Sequence, residues 1–82
     1  MDRAPKTPGD ATRKEIGGRI REQRVFLGLT QAEVAEPLQV TKAAVSDWER
    51  GVSLPRQHLQ VALAEKLNMS WSVLFRPSVG VS

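Results

Sequence analysis

The sequence has no cysteine, which excludes disulfide staples and thiolate metal sites. Its one histidine is His58, so no histidine-based metal set or acid–base pair exists. No stretch is long and apolar enough to cross a membrane. The opening residues, MDRAPKTPGD, lack the apolar segment of a secretory signal. No segment reads as a strand, and no Gly-rich phosphate loop follows one. Carboxylates are scattered, and Ser46, Ser53 and Ser70 have no general base at a recognisable spacing. The expectation is a protein with no catalytic centre, no metal, no cofactor and no membrane contact.

What is present is 82 residues with a net charge of +3 and a pI near 10.0. That length suits one small domain, and such a domain buries only about 60% of its unfolded surface. Stability must therefore come from well-packed helices, with or without a second copy. The small basic excess favours an anionic partner.

The stretch Thr30 to Gly51, TQAEVAEPLQVTKAAVSDWERG, reads as two short helices joined by a tight turn. Thr30 with Glu33 has capping-box spacing, and Val34, Ala35 and Leu38 then share one face. Thr41 is a second N-cap, and Val45 and Trp48 point inward at i, i+3. Neither helix is long enough to persist alone in water. The outward face of the second helix carries Lys42, Ala43, Ser46, Asp47 and Arg50, with Lys42, Ser46 and Arg50 in line at i, i+4, i+8. Short and hydrogen-bonding side chains on an exposed helix suit a DNA major groove. The plain alternative is a solvated helix face.

On either side the pattern stays helical. Residues 1–11 read as a flexible basic arm with Arg3 and Lys6, and Arg13 and Lys14 stand close behind. This is either a solvated tail or an arm that reaches phosphates. A domain follows over 12–76. Its first helix is expected to open at Thr12, which forms a capping box with Glu15. Ile16, Ile20 and Leu27 mark the inward stripe, with Gln23 and Arg24 on the same side. Gly17 and Gly18 weaken this helix by about 1 kcal/mol each relative to Ala, and Gly28 can end it in the left-handed conformation. After the loop Gly51–Pro55, Pro55 suits the first position of a helix. That helix runs to about Leu67 with Leu59, Ala62, Leu63 and Leu67 on one face, and Asn68 ends it. His58 sits in its first turn as a surface residue. Ser70 caps a short last helix, Trp71 to about Phe75, which Pro77 stops. Residues 77–82 read as a flexible tail. Val61, Trp71, Val73, Leu74, Phe75, Val79 and Val81 are a large apolar share for the end of a small domain. Leu74 is expected in the core.

The residues Thr30-Gln31, Val34-Ala35, Leu38, Val40, Val45, Trp48-Glu49 and Gly51 resemble the helix-turn-helix of the phage repressor and Cro family, also called XRE-type. The resemblance extends from about Ile16 to about Phe75. It takes in Arg24, Leu27-Gly28-Leu29, Pro55, Leu63-Ala64 and Val73-Leu74-Phe75. It implies an all-α, compact five-helix bundle of the lambda-repressor-like kind. Ala35 stands where the family keeps a small residue so that the helices approach closely. There are two departures. Gln39 replaces the usual turn glycine at a position that tends to φ > 0, where Gln is not favoured. Pro37 removes a hydrogen bond inside the first motif helix, at roughly 3 kcal/mol; that helix is expected to end early or bend near Glu36.

The resemblance also implies a function. The protein is expected to be a cytoplasmic, bacterial or phage-encoded transcriptional regulator, most simply a repressor, that binds double-stranded DNA. Base contacts fall to Lys42, Ala43, Ser46 and Asp47: Lys42 to guanine, Asp47 to cytosine N4, Ala43 to a thymine methyl; the alternative for Asp47 is that it orients Lys42 or Ser46. Phosphate contacts fall to Gln31, Thr41, Arg50 and Arg56. Arg24 and Glu49 are expected to form an ion pair between the first helix and the recognition helix; the alternative leaves both solvated. A homodimer on a pseudo-palindromic operator is expected, with Trp71, Val73 and Phe75 as candidate dimer contacts. Two alternatives use the same fold: a protein-interaction module that does not bind DNA, and an antitoxin or restriction controller.

Overall fold

The computed structural model describes residues 8–76, with side chains from Thr12 onward. Five α-helices follow one another: α1 Pro8–Phe26, α2 Gln31–Leu38, α3 Lys42–Glu49, α4 Gln57–Lys66 and α5 Trp71–Leu74. No strand occurs among the described residues, so the chain is an all-α bundle. No helix among them is long and apolar enough to cross a membrane. The arm residues Arg3 and Lys6 and the tail residues Val79 and Val81 lie outside the described residues.

The core is assembled one stripe per helix. Ile16 and Ile20 of α1 meet Val34, Ala35 and Leu38 of α2 and Val45 and Trp48 of α3. Leu63 and Ala64 from α4, its cap Leu67, and Leu74 and Phe75 from the last turn close it. In α4 the fourth inward residue is Ala64 and not Ala62, which is exposed. α3 packs against both α1 and α2, α4 against α2 and α5, and α5 returns to α1.

Capping sets where the helices begin. Thr30 Oγ1 accepts from Glu33 N at 3.0 Å and Glu33 Oε1 accepts from Thr30 N at 2.8 Å, completing the capping box. Thr41 and Ser70 cap α3 and α5 through Ala44 N and Val73 N. Two expected starts are displaced. α1 opens at Pro8, so Thr12 lies inside the helix and does not cap it; proline's fixed φ suits a first helical position. Pro55 is not the first residue of α4. Arg56 keeps an extended backbone, φ −62° and ψ 153°, and the helix begins at Gln57.

Four of the helices stop in one way. Gly28, Gln39, Gly51 and Asn68 all have positive φ. After α2, Gln39 N bonds Glu36 O at 3.0 Å and Val40 N bonds Ala35 O at 3.2 Å. This is the Schellman arrangement, which satisfies carbonyls that a helix end leaves open. It also accounts for Pro37. α2 does not end early but continues through Pro37 to the buried Leu38. The missing Pro37 N–H loses one bond, while the burial of Leu38 and the two bonds that follow hold the last turn.

Gln39 is held at φ 60°, ψ 40°, where a side chain costs about 1–2 kcal/mol. Glycine avoids that cost but loses about 0.5–1 kcal/mol through the unfolded chain. Gln39→Gly is therefore expected to raise stability by about 0.5–1 kcal/mol, measured by urea unfolding. An unchanged or lower midpoint would show that the glutamine side chain itself offsets the strain.

Candidate nucleic-acid interface

α3 is fixed from behind before it presents anything in front. Val45 and Trp48 are buried. Behind its last turn, Gly17 of α1 lets two backbones meet. A methyl group there would lie 2.3 Å from the Trp48 carbonyl oxygen and 2.7 Å from that of Glu49. The glycine that weakens α1 as an isolated helix is thus the contact that lets α1 dock on α3. Gly18, beside it, faces open space.

The second anchor is ionic. Arg24 Nε and Nη2 donate to Glu49 Oε2 and Oε1 at 2.5 and 3.0 Å, and Arg24 Nη1 donates to Leu29 O at 2.9 Å. The side chains are 13% and 3% exposed, Arg24 and Glu49 respectively. Hydrogen bonding to Glu49 raises the Arg24 pKa; burial opposes this, and the Glu49 charge adds to it. Gln31 Nε2 also donates to Glu49 Oε1, at 3.0 Å. One carboxylate therefore ties α1, the end of α3 and the first residue of α2 together. The Gln31 carboxamide is oriented by it, a link across 18 positions that no local spacing reveals.

In front, Thr41, Lys42 and Ala43 are exposed, and Ser46 and Asp47 are partly so. The first turn of α3 has no acidic residue. A cation at a helix N-terminus, where the backbone dipole is already positive, costs the helix roughly 0.3–1 kcal/mol. Lys42 is in that position, and an anionic neighbour reverses the sign. Thr41 Oγ1 accepts from Ala44 N at 3.0 Å, which leaves its hydroxyl hydrogen to donate. Arg56 is exposed at the start of α4. It lines a groove of about 300 Å³ together with Val40, Ala44 and Trp48, so it stands beside the Ala44–Trp48 flank of α3. Asp47 and Arg50 do not stand apart. Arg50 Nη2 donates to Asp47 Oδ1 at 2.5 Å, an i, i+3 pair on one face of the helix.

Other polar groups have structural work. Arg13 Nε donates to Gly51 O at 3.3 Å, at the carbonyl end of α3. Arg19 Nη1 donates to Leu74 O at 2.9 Å and Arg76 O at 2.8 Å, fastening α5 to α1. Gln23 Nε2 donates to Leu67 O at 2.9 Å. No local spacing reveals these bonds, because each acceptor is a backbone carbonyl far along the chain.

The candidate dimer residues divide. Phe75 is only 8% exposed and belongs to the core, so its ring is not free for a second copy. Phe75 caps the one-turn α5 and joins Leu74 in the core. Trp71 and Val73 remain about half exposed. The Trp71 indole stacks on Phe75, centroids 6.0 Å apart, and donates to Gln60 Oε1 at 3.0 Å. Among the described residues no group of three or more His, Cys, Asp or Glu is placed to hold a metal.

Comparison with known proteins adds two matches. A family model described as helix-turn-helix matches residues 20–74. The HTH-type transcriptional regulator DicA of Escherichia coli K12 is 42% identical over 55 residues, 67% of this chain. The chain spans about two fifths of that relative's length, 41%. No solved structure matches.

Proposed function

This chain belongs to the XRE-type helix-turn-helix family, and on that premise we propose that it is a transcriptional regulator that binds double-stranded DNA. The observation that carries the reading is the two-sidedness of α3. Its back is immobilised by Val45, Trp48, Gly17 and the Glu49 carboxylate. Its front offers Lys42, Ala43 and Ser46 to solvent, with Lys42 on the positive helix end. A face held rigidly from behind keeps donors in register with base edges, which affinity and discrimination both need.

In this docking α3 lies in the major groove. Lys42 donates to guanine O6 and N7, Ala43 packs on a thymine methyl, and Ser46 bonds either base edge. Gln31, Thr41 and Arg56 position the backbone through phosphates: Gln31 as oriented by Glu49, Thr41 through its free hydroxyl hydrogen, Arg56 from the start of α4. The half-exposed Trp71 and Val73 supply the contact of a homodimer. Two copies then read a pseudo-palindrome with half-sites about one helical turn, roughly 34 Å, apart. Occupying a promoter in that way represses it.

Two substitutions separate base reading from phosphate contact. Lys42→Ala is expected to weaken binding to a site selected from random duplexes by about 1–3 kcal/mol, while binding to unrelated duplex changes little. Arg56→Ala is expected to weaken all sequences alike and to lower the salt slope by about one. Fluorescence anisotropy across a salt series reads both. A folded protein that shows no salt-dependent duplex binding would instead favour a protein-interaction role.

A further inference from the structure

The front of α3 carries a carboxylate, and a bare carboxylate facing DNA repels phosphate. Asp47 is not bare: Arg50 Nη2 donates to Asp47 Oδ1 at 2.5 Å, and Arg50 Nε lies 3.4 Å from Ser46 Oγ. Resting on the DNA-binding reading above, we propose that Asp47 is a positioning residue for Arg50 and that the buttressed pair reads a single guanine. This replaces separate roles for the two, a cytosine contact for Asp47 and a phosphate contact for Arg50.

Three features carry the assignment. The first is position. The backbone of Arg50 is already at the C-terminal cap of α3, and an arginine seeking the flanking backbone would extend away from the helix. Instead the guanidinium folds back over the preceding turn, within reach of Ser46 and Asp47. Helical side chains lean toward the N-terminus, so the cation is brought toward the base-reading end.

The second feature is charge. With Asp47 bonded to it, the pair is electrically neutral, and its long-range attraction for phosphate is small. What is left is directed hydrogen bonding, which discriminates between bases and does little for non-specific affinity. The third is the free edge. A guanidinium has five N–H groups in a fixed fork. The Nε side is taken by Ser46 and Asp47. Both hydrogens of Nη1 and one of Nη2 remain, and end-on they match guanine O6 and N7. Arg50 is 63% exposed and Asp47 41%, so the fork is open to a ligand. Because the carboxylate already limits its rotamers, less freedom is lost when the guanine is bound.

The test is selection from a random duplex pool by the wild-type protein and by Asp47→Ala, Arg50→Ala, Arg50→Lys and the double alanine variant. Circular dichroism confirms that each is folded. The expected result is that wild type prefers guanine at one position, and that all four variants lose about tenfold to a hundredfold of that preference at that position alone. The double variant should lose no more than either single one, and lysine should not rescue, since it keeps the charge without the fork. The assignment is overturned if Asp47→Ala keeps every preference and tightens binding to all duplexes while Arg50→Ala weakens all alike. Asp47 would then be only a repulsive charge and Arg50 a phosphate contact. A wild-type protein that enriches no sequence overturns the DNA-binding reading together with this assignment.

Discussion

Glu49→Ala is expected to lower the stability of the fold by roughly 3–5 kcal/mol, the usual loss when one partner of a buried ion pair is removed. The reason is what it leaves behind. Arg24, with its side chain 13% exposed, keeps its charge and its bond to Leu29 O but loses both contacts to the carboxylate. It cannot escape by deprotonating. Its folded pKa lies above the ordinary guanidinium value, so the arginine's share of the pair's contribution is fully present below that ordinary value. That share is lost as pH rises through the still higher folded value, beyond neutral and mildly alkaline conditions. Single domains of this size are stable by about 5–15 kcal/mol, so the variant keeps at most a fraction of the fold's margin. Thermal unfolding should fall by tens of degrees, since 1 kcal/mol corresponds to about 4–8 °C in a 60–100-residue domain.

The companion experiment separates stability from function. Replacing both partners, Arg24→Met with Glu49→Leu, removes the stranded charge and is expected to recover most of the loss. Gln31 would still lack the carboxylate that orients its carboxamide. The double variant should therefore fold and yet bind duplex more weakly. Full recovery of both stability and binding would show that the carboxylate does not prepare Gln31 for phosphate.

Gly17→Ala is the second large effect, and here two considerations oppose each other. By helix propensity alone, alanine in place of a mid-helix glycine gains about 1 kcal/mol. By packing, the new methyl falls 2.3 and 2.7 Å from two backbone carbonyl oxygens, and neither can swing away as a side chain tip would. Overpacking a core costs typically 1–3 kcal/mol and occasionally more. With backbone on the other side of the clash, a net loss of roughly 2–3 kcal/mol is expected. Gly18→Ala serves as the control: nothing lies within 4 Å of its methyl position, so it should stabilise by about 1 kcal/mol. Opposite signs at adjacent glycines, read by chemical denaturation, would establish that α1 and α3 meet backbone to backbone. Gains at both would mean that the helices sit further apart.

This pair of glycines also shows what the sequence could and could not tell. Read locally, Gly17 and Gly18 are equal defects in a helix, and only the approach of α3 distinguishes them. The same division runs through the chain. Caps are local, so Thr30, Thr41 and Ser70 and the left-handed stops at Gly28 and Asn68 were legible. So were the inward residues Ile20, Val34, Val45 and Trp48, because burial imposes a period. The local cost of Pro37 is visible in the sequence, whereas the burial of Leu38 and the Schellman bonds that carry α2 past it are not. The burial of Phe75 is not legible, because five residues of amphipathic pattern are too few to show which side faces in. The bonds from Gln31 to Glu49 and from Arg19 to the α5 carbonyls join residues far apart in sequence, and only the folded chain brings them together.

The most direct test of the central claim is to follow backbone-amide NMR shifts while a duplex selected from a random pool is added. The expected result is that the largest changes fall on Gln31, on Thr41 to Ser46 and on Arg56, with Val61 and Val73 little moved at half-site stoichiometry. Binding that leaves the amides of Thr41 to Ser46 in place would contradict it.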